Sequence, residues 1–143
     1  MRYLLGTDII SEVIKPQPSP DLLAWMAAQI DEDLFIASLT LAEIRRGILE
    51  TPMSMEREAL DAWFVGPEGP QALFAGRILA FDEHAALIWA QLMAEGDRMS
   101  VSRRGGVDMI IAAIAAANNC IVVTSNEGGF LGIEIVNPML GAA

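Results

Sequence analysis

Ile121-Val122-Val123-Thr124-Ser125-Asn126-Glu127, residues 121–127, passes from a fully apolar triplet straight into four polar residues. Three β-branched residues without polar alternation predict a strand buried on both faces, as in a parallel sheet, and the polar residues mark its carboxyl end. Upstream, the apolar stretch Val107–Asn118 predicts a helix set off by Gly105-Gly106. Tyr3–Leu5, Leu34–Ala37 and Ile78–Phe81 predict three earlier strands, and Ile133–Val136 a short fifth. Helices are expected at Ile9–Ile14, Asp21–Ile30, Thr40 to about Leu49, Met55–Phe64, and from Asp82 or Glu83 to about Met99. Prolines in Lys15-Pro16-Gln17-Pro18-Ser19-Pro20 and the breaker Gly66-Pro67-Glu68-Gly69-Pro70 interrupt them. Strands alternating with helices predict an α/β fold, a parallel sheet of four to five strands covered on both faces. In such sheets the reactive crevice lies beyond the carboxyl ends of the strands, where Gly6-Thr7-Asp8 and Thr124–Glu127 fall.

The chain has 143 residues, 53% hydrophobic and 20% charged, which suits one globular domain over residues 1–143 and excludes disorder. Its longest apolar run, Met109–Ala117, is shorter than the ~18 residues of a membrane span. The opening Met1–Leu5 is too short for a signal peptide, so the expectation is a soluble, cytoplasmic protein without a membrane partner. Cys120 has no second cysteine to pair with and reads as a buried thiol. The net charge of −10 gives no general nucleic-acid footprint, so any RNA contact is local. Arg45, Arg46, Arg103 and Arg104 are the candidates for phosphate contact; the competing reading is surface ion pairing, such as Glu43 with Arg46.

Each acidic residue near the crevice has a structural explanation of its own. Thr40-Leu41-Ala42-Glu43 fits a capping box, Asp8 fits an N-cap, and Asp108 suits the first turn of its helix. Thr124–Glu127 also fits a capping pattern for a short helical turn. The lone His84 belongs to a helix start, and Trp25, Trp63 and Trp89 lie on apolar helical stripes as core or interface residues. No histidine, cysteine or serine constellation points to zinc or to a hydrolase triad.

Four blocks taken together change the weighting: LLGTDIISEVIKPQP, SLTLAEIRRGI, GGVDMIIAAIA and IVVTSNEGGF. Their order and spacing resemble a PIN domain of the VapC/FitB toxin type over nearly the whole chain. That resemblance implies a three-layer α/β/α fold and a metal-dependent endoribonuclease of a type II toxin–antitoxin system. It further implies a homodimer, a VapB/FitA-type antitoxin, RNA such as tRNA as substrate, and DNA contact only through the antitoxin. It assigns four acidic positions, of which Glu43 and Asp108 keep their acid while Gly6 and Gly129 do not; Thr124 is the family's threonine at the strand end.

Mg²⁺ or Mn²⁺ takes oxygen ligands and orients a water for phosphodiester cleavage. With Gly6 and Gly129 the expectation is weak metal binding and impaired cleavage, with Asp8 or Glu127 as possible substitutes for the missing acids. The competing function is a catalytically inactive PIN-like module that sequesters an antitoxin. A phosphoacceptor domain fits poorly, since the only lysine, Lys15, lies in the proline-rich segment.

Overall fold

The computed structural model describes residues 1–98 and 106–140. Five strands, β1 (Arg2–Leu5), β2 (Leu34–Ala37), β3 (Ile78–Leu79), β4 (Cys120–Val123) and β5 (Ile135–Val136), form one sheet in the order β3-β2-β1-β4-β5. Every pairing is parallel. The helices are α1 (Thr7–Val13), α2 (Pro20–Ala27), α3 (Ser38–Glu50), α4 (Met55–Val65), α5 (Pro70–Leu73), α6 (Glu83–Arg98) and α7 (Gly106–Ala117).

The register divides the apolar residues between two cores. Leu4 sits beside Phe35 and Val122, and these face the core covered by α6 and α7, where Ala85, Met109 and Ile114 are buried. Leu5, paired with Ile36 and Val123, faces the opposite core with Ile9, Leu22, Ile44 and Phe64 from α1 to α4. Two-residue periodicity thus supplies both faces, giving the expected α/β/α layers. Among the described residues no helix is long and apolar enough to cross a membrane.

Element ends are set by local chemistry. Ser19 accepts from the Leu22 amide to cap α2, which opens with Pro20 and stops at Ala27, short of the expected Ile30. Ser54 caps α4 in the same way through the Arg57 amide, and Asp82 accepts from the Ala85 amide at the start of α6. Asn119, at φ 56°, takes the left-handed conformation that turns α7 into β4. Two strands are shorter than their apolar runs: β3 ends at Leu79 because Ala80 and Phe81 are exposed at the sheet edge, and β5 keeps only Ile135 and Val136.

The β3 edge is held by Arg77. Its guanidinium donates to the carbonyls of Asp31 and Leu34 at 2.6 and 2.5 Å and of Leu73 at 2.6 Å, while its own carbonyl accepts from the Ile36 amide. We expect Arg77→Ala to cost about 1.5–3 kcal/mol in urea unfolding, the range for hydrogen bonds to a charged group. A midpoint equal to that of the unaltered chain would show the three-carbonyl fork contributes nothing.

Candidate functional site

Strand order reverses between β1 and β4, and the carboxyl ends of these two strands open into a cleft of about 190 Å³. At the end of β1 the Gly6 amide donates to the Val123 carbonyl at 2.8 Å, and the Gly6 carbonyl accepts from Ile9 as α1 begins. This turn aims Thr7 and Asp8 into the cleft. At the end of β4 Thr124 is buried and its amide donates to the Val136 carbonyl. Helix α3 brings Glu43 to the same cleft, and the first turn of α7 brings Asp108.

The threonine hydroxyl of Thr7 donates to Glu43 Oε1 at 2.5 Å and lies 3.2 Å from the hydroxyl of buried Thr40. Asp8 accepts from Ser125 Oγ at 2.7 Å, from the Ser125 amide at 2.8 Å and from Thr124 Oγ1 at 3.1 and 3.2 Å. Asn126 caps the short helical turn Glu127–Phe130 by accepting from the Gly129 amide, and its Nδ2 lies 3.4 Å from Asp108 Oδ2.

Several sequence expectations change here. Thr40 and Glu43 do not form a capping box: α3 starts at Ser38 after Ala37, so both residues lie inside the helix and turn toward Thr7. Asp8 does not cap α1, because Gly6 holds that place and Asp8 reaches the turn after β4 instead. The Thr124–Glu127 pattern does precede a helical turn, yet its cap is Asn126, and Glu127 is exposed and absent from the cleft lining. Arg45 pairs with Asp61 at 2.7 Å and Arg46 with Glu50 at 2.6 Å, so neither pairs with Glu43 or lines the cleft. Surface ion pairing therefore accounts for both, with other partners than expected. Arg103 and Arg104 lie outside the described residues. Sequence reasoning placed Thr7, Ser125 and Asn126 at the crevice by segment but assigned none of them a role; an Asn shortly before Gly128-Gly129 was the available signal for the last.

The cleft contains Glu43, Asp108, Thr124 and Asp8 together, and it sits where a PIN resemblance would put its acids. The family model of the PIN domain matches residues 3–134. This chain is a PIN-domain protein of the VapC/FitB type. It is 36% identical over 137 residues to the VapC ribonuclease Y4jK of Sinorhizobium fredii (strain NBRC 101917 / NGR234), covering 94% of this chain and 96% of that one. It is 33% identical over 132 residues to the toxin FitB of Neisseria gonorrhoeae (strain ATCC 700825 / FA 1090), covering 92% and 93%. The structure of FitAB bound to a DNA fragment superposes with a TM-score of 0.84 at 32% identity, covering 96% of this chain and 95% of that one.

Against the four acidic positions of the PIN resemblance, this cleft is short of carboxylates. Among the described residues no three Asp, Glu, His or Cys side chains converge closely enough to hold a metal ion. Gly6 lines the cleft without a side chain, and Gly129 lies next to two residues that line it, Asp108 and Asn126. Glu43 accepts the Thr7 proton, and both oxygens of Asp8 are engaged by Thr124 or Ser125. Burial first, then the charges of Glu43 and Asp8, push the Asp108 carboxyl above the usual carboxylate range. The donors present thus leave a divalent ion fewer free carboxylates than the resemblance assigns, so the expected binding is weak.

The raised Asp108 value fixes the sign of a pH effect. A carboxyl that holds its proton more tightly in the folded state favours folding below the unfolded value of about 3.9, and that contribution is lost as pH rises through the folded value. Asp108→Asn should accordingly raise the melting temperature at pH 7 and give no gain at pH 3. Equal destabilisation at both pH values would contradict the assigned cause.

Proposed function

We propose that this chain is the toxin half of a type II toxin–antitoxin pair, built on a metal-dependent PIN endoribonuclease scaffold whose cleavage is impaired. The observation that carries this reading is the cleft itself. It retains Glu43, Asp108 and Thr124 at the carboxyl ends of β1 and β4, and lacks side chains at Gly6 and Gly129. The relative named a ribonuclease supports RNA as the substrate class; tRNA or another structured RNA is the target of this reading. The partner of this reading is an antitoxin of the VapB/FitA type in the cytoplasm, with DNA reached only through it; the similarity to a FitAB complex bound to DNA supports a partner and a DNA-bound assembly. Mg²⁺ or Mn²⁺ is the metal of this reading, held weakly.

One observation favours the second reading, a catalytically inactive module that sequesters an antitoxin. The Asp8 carboxylate, the nearest substitute for a missing acid, is saturated by donors of the protein. Two assays on the same preparation separate the readings: degradation of total RNA with Mg²⁺ or Mn²⁺, and complex formation with the cognate antitoxin. Slow metal-dependent cleavage together with antitoxin binding supports the toxin. Antitoxin binding with no cleavage at any metal concentration supports the module, and loss of both sinks the pair.

A homodimer belongs to the same proposal. Trp25, Trp63 and Trp89 pack partly buried against this chain's own cores, which leaves part of each ring at the surface. Exposed apolar side chains lie elsewhere, Met53, Met55 and Val65 each more than three-quarters exposed. Light scattering is expected to return twice the 15.4 kDa chain mass. A monomer across a broad concentration range would count against pairing.

A further inference from the structure

Two residues at the start of α1 compete for one volume. A Cβ built on Gly6 falls 2.7 Å from Asp8 Oδ1 and 3.1 Å from the Val123 carbonyl, closer than packed atoms approach. The Gly6 backbone is ordinary extended chain, φ −69° and ψ 163°, so any residue could adopt it and the obstacle is the neighbour. That neighbour is not free to swing aside. Asp8 accepts three donors, Thr124 Oγ1 and both the amide and hydroxyl of Ser125. Thr124 Oγ1 in turn accepts from the Asn126 amide at 3.0 Å, and Asn126 spans from the Gly129 amide to Asp108. The hydrogen bonds therefore run without a break from α1, through the turn after β4, to α7.

We infer that Asp8 is a positioning residue that fastens the turn 124–130 beside the cleft, and that its fastened carboxylate excludes a side chain at position 6. The negative group at this strand end is bound inward to hydroxyls and an amide of the protein. An acid on residue 6 would occupy the same volume and face the same charge. Restoring that acid therefore requires releasing Asp8. At Gly129 the neighbours are also side-chain ends, the Asp108 carboxylate and the Asn126 amide, both of which belong to the same run of bonds. The steric part of this inference stands independently of the function proposed above, and its bearing on metal affinity rests on that proposal.

A double-mutant cycle at positions 6 and 8 tests it by urea unfolding. Gly6→Ala is expected to lower the folded-to-unfolded ratio at least tenfold while Asp8 is present, and less than twofold once Asp8→Ala has been made. The same loss in both backgrounds would overturn the exclusion. Should Asp8→Ala fail to fold, Asp8→Ser replaces it, since it also removes the carboxylate from the contested volume. The second readout is Mg²⁺ titration by calorimetry on Gly6→Asp/Gly129→Asp, with Asp8 retained or changed by Asp8→Ala. Binding at least tenfold tighter in the Asp8→Ala form is expected, and equal measurable affinities would overturn the positioning role. Absence of Mg²⁺ binding in both, alongside a strongly coupled cycle, would uphold the exclusion and defeat the metal part of the proposed function.

Discussion

Total RNA incubated with the unaltered chain and Mg²⁺ or Mn²⁺ should stay intact over a period in which the Gly6→Asp/Asp8→Ala/Gly129→Asp chain degrades it. Mg²⁺ is held by one or two carboxylates together with waters and substrate phosphate, so Glu43 and Asp108 would suffice by number alone. By disposition they do not. Glu43 already accepts a hydrogen bond from the Thr7 hydroxyl, and Asp108 stands without the two further acids that the PIN resemblance places at positions 6 and 129. Two added acids supply charge beside the strand ends, and Asp8→Ala removes the side chain that obstructs the first of them. Loss of an outer-shell partner alone costs up to about 100-fold in affinity or activity, so the gain in cleavage rate should be at least on the order of 100-fold. Adding Asp108→Asn should abolish it, since an amide keeps the shape and removes the charge. Cleavage is followed by gel with and without the metal. Strong metal-dependent cleavage by the unaltered chain would refute the prediction and promote Asp8 to a ligand.

The second large effect concerns the floor of the cleft. Phe130 is 4% exposed, packs into the core between the sheet and α7, and also lines the cleft. It closes the turn capped by Asn126, so its ring anchors the one segment that carries both Asn126 and Gly129. Phe130→Ala should cost about 3–5 kcal/mol, as cavity-forming losses of a buried aromatic do. That is a large share of the roughly 5–15 kcal/mol typical of a whole domain. Leu131, next in sequence and about half exposed, should be far less sensitive to the same change. Urea unfolding of both variants decides it: equal losses would show that the turn is not anchored through Phe130.

The fold was largely legible in the sequence because its strands are short apolar runs whose burial on both faces leaves no alternation to misread. Leu34–Ala37 forms a strand over the bounds expected, and β4 differs only by beginning at Cys120. That cysteine is half-buried and not fully enclosed, and burial still pushes its thiol up against the opposing charge of Arg2. Edge strands were overestimated, because hydrophobicity does not show where a neighbour stops pairing, as at Phe81. Site residues were legible by identity more than by partner. A Thr-x-x-Glu pattern looks the same whether it caps a helix or faces Thr7 from inside one. Asp8 bonds Thr124 at a sequence separation of 116, and no local pattern could reveal that. The same distance explains why the obstruction at Gly6 became visible only once the backbone was placed.

The strand at the very start of the chain lies in the middle of the sheet, with Arg2 beside Cys120 and Leu5 beside Val123. During synthesis β1 must therefore wait for β4, and the 118 residues from Arg2 to its partner Cys120, at about 5–20 residues per second, mean a delay on the order of ten seconds. Until then β1 has an open edge, and the cleft lacks the wall formed by Thr124, Ser125 and Asn126. A chain made only as far as residue 119 thus has neither the completed cleft nor the neighbour that β4 gives β1.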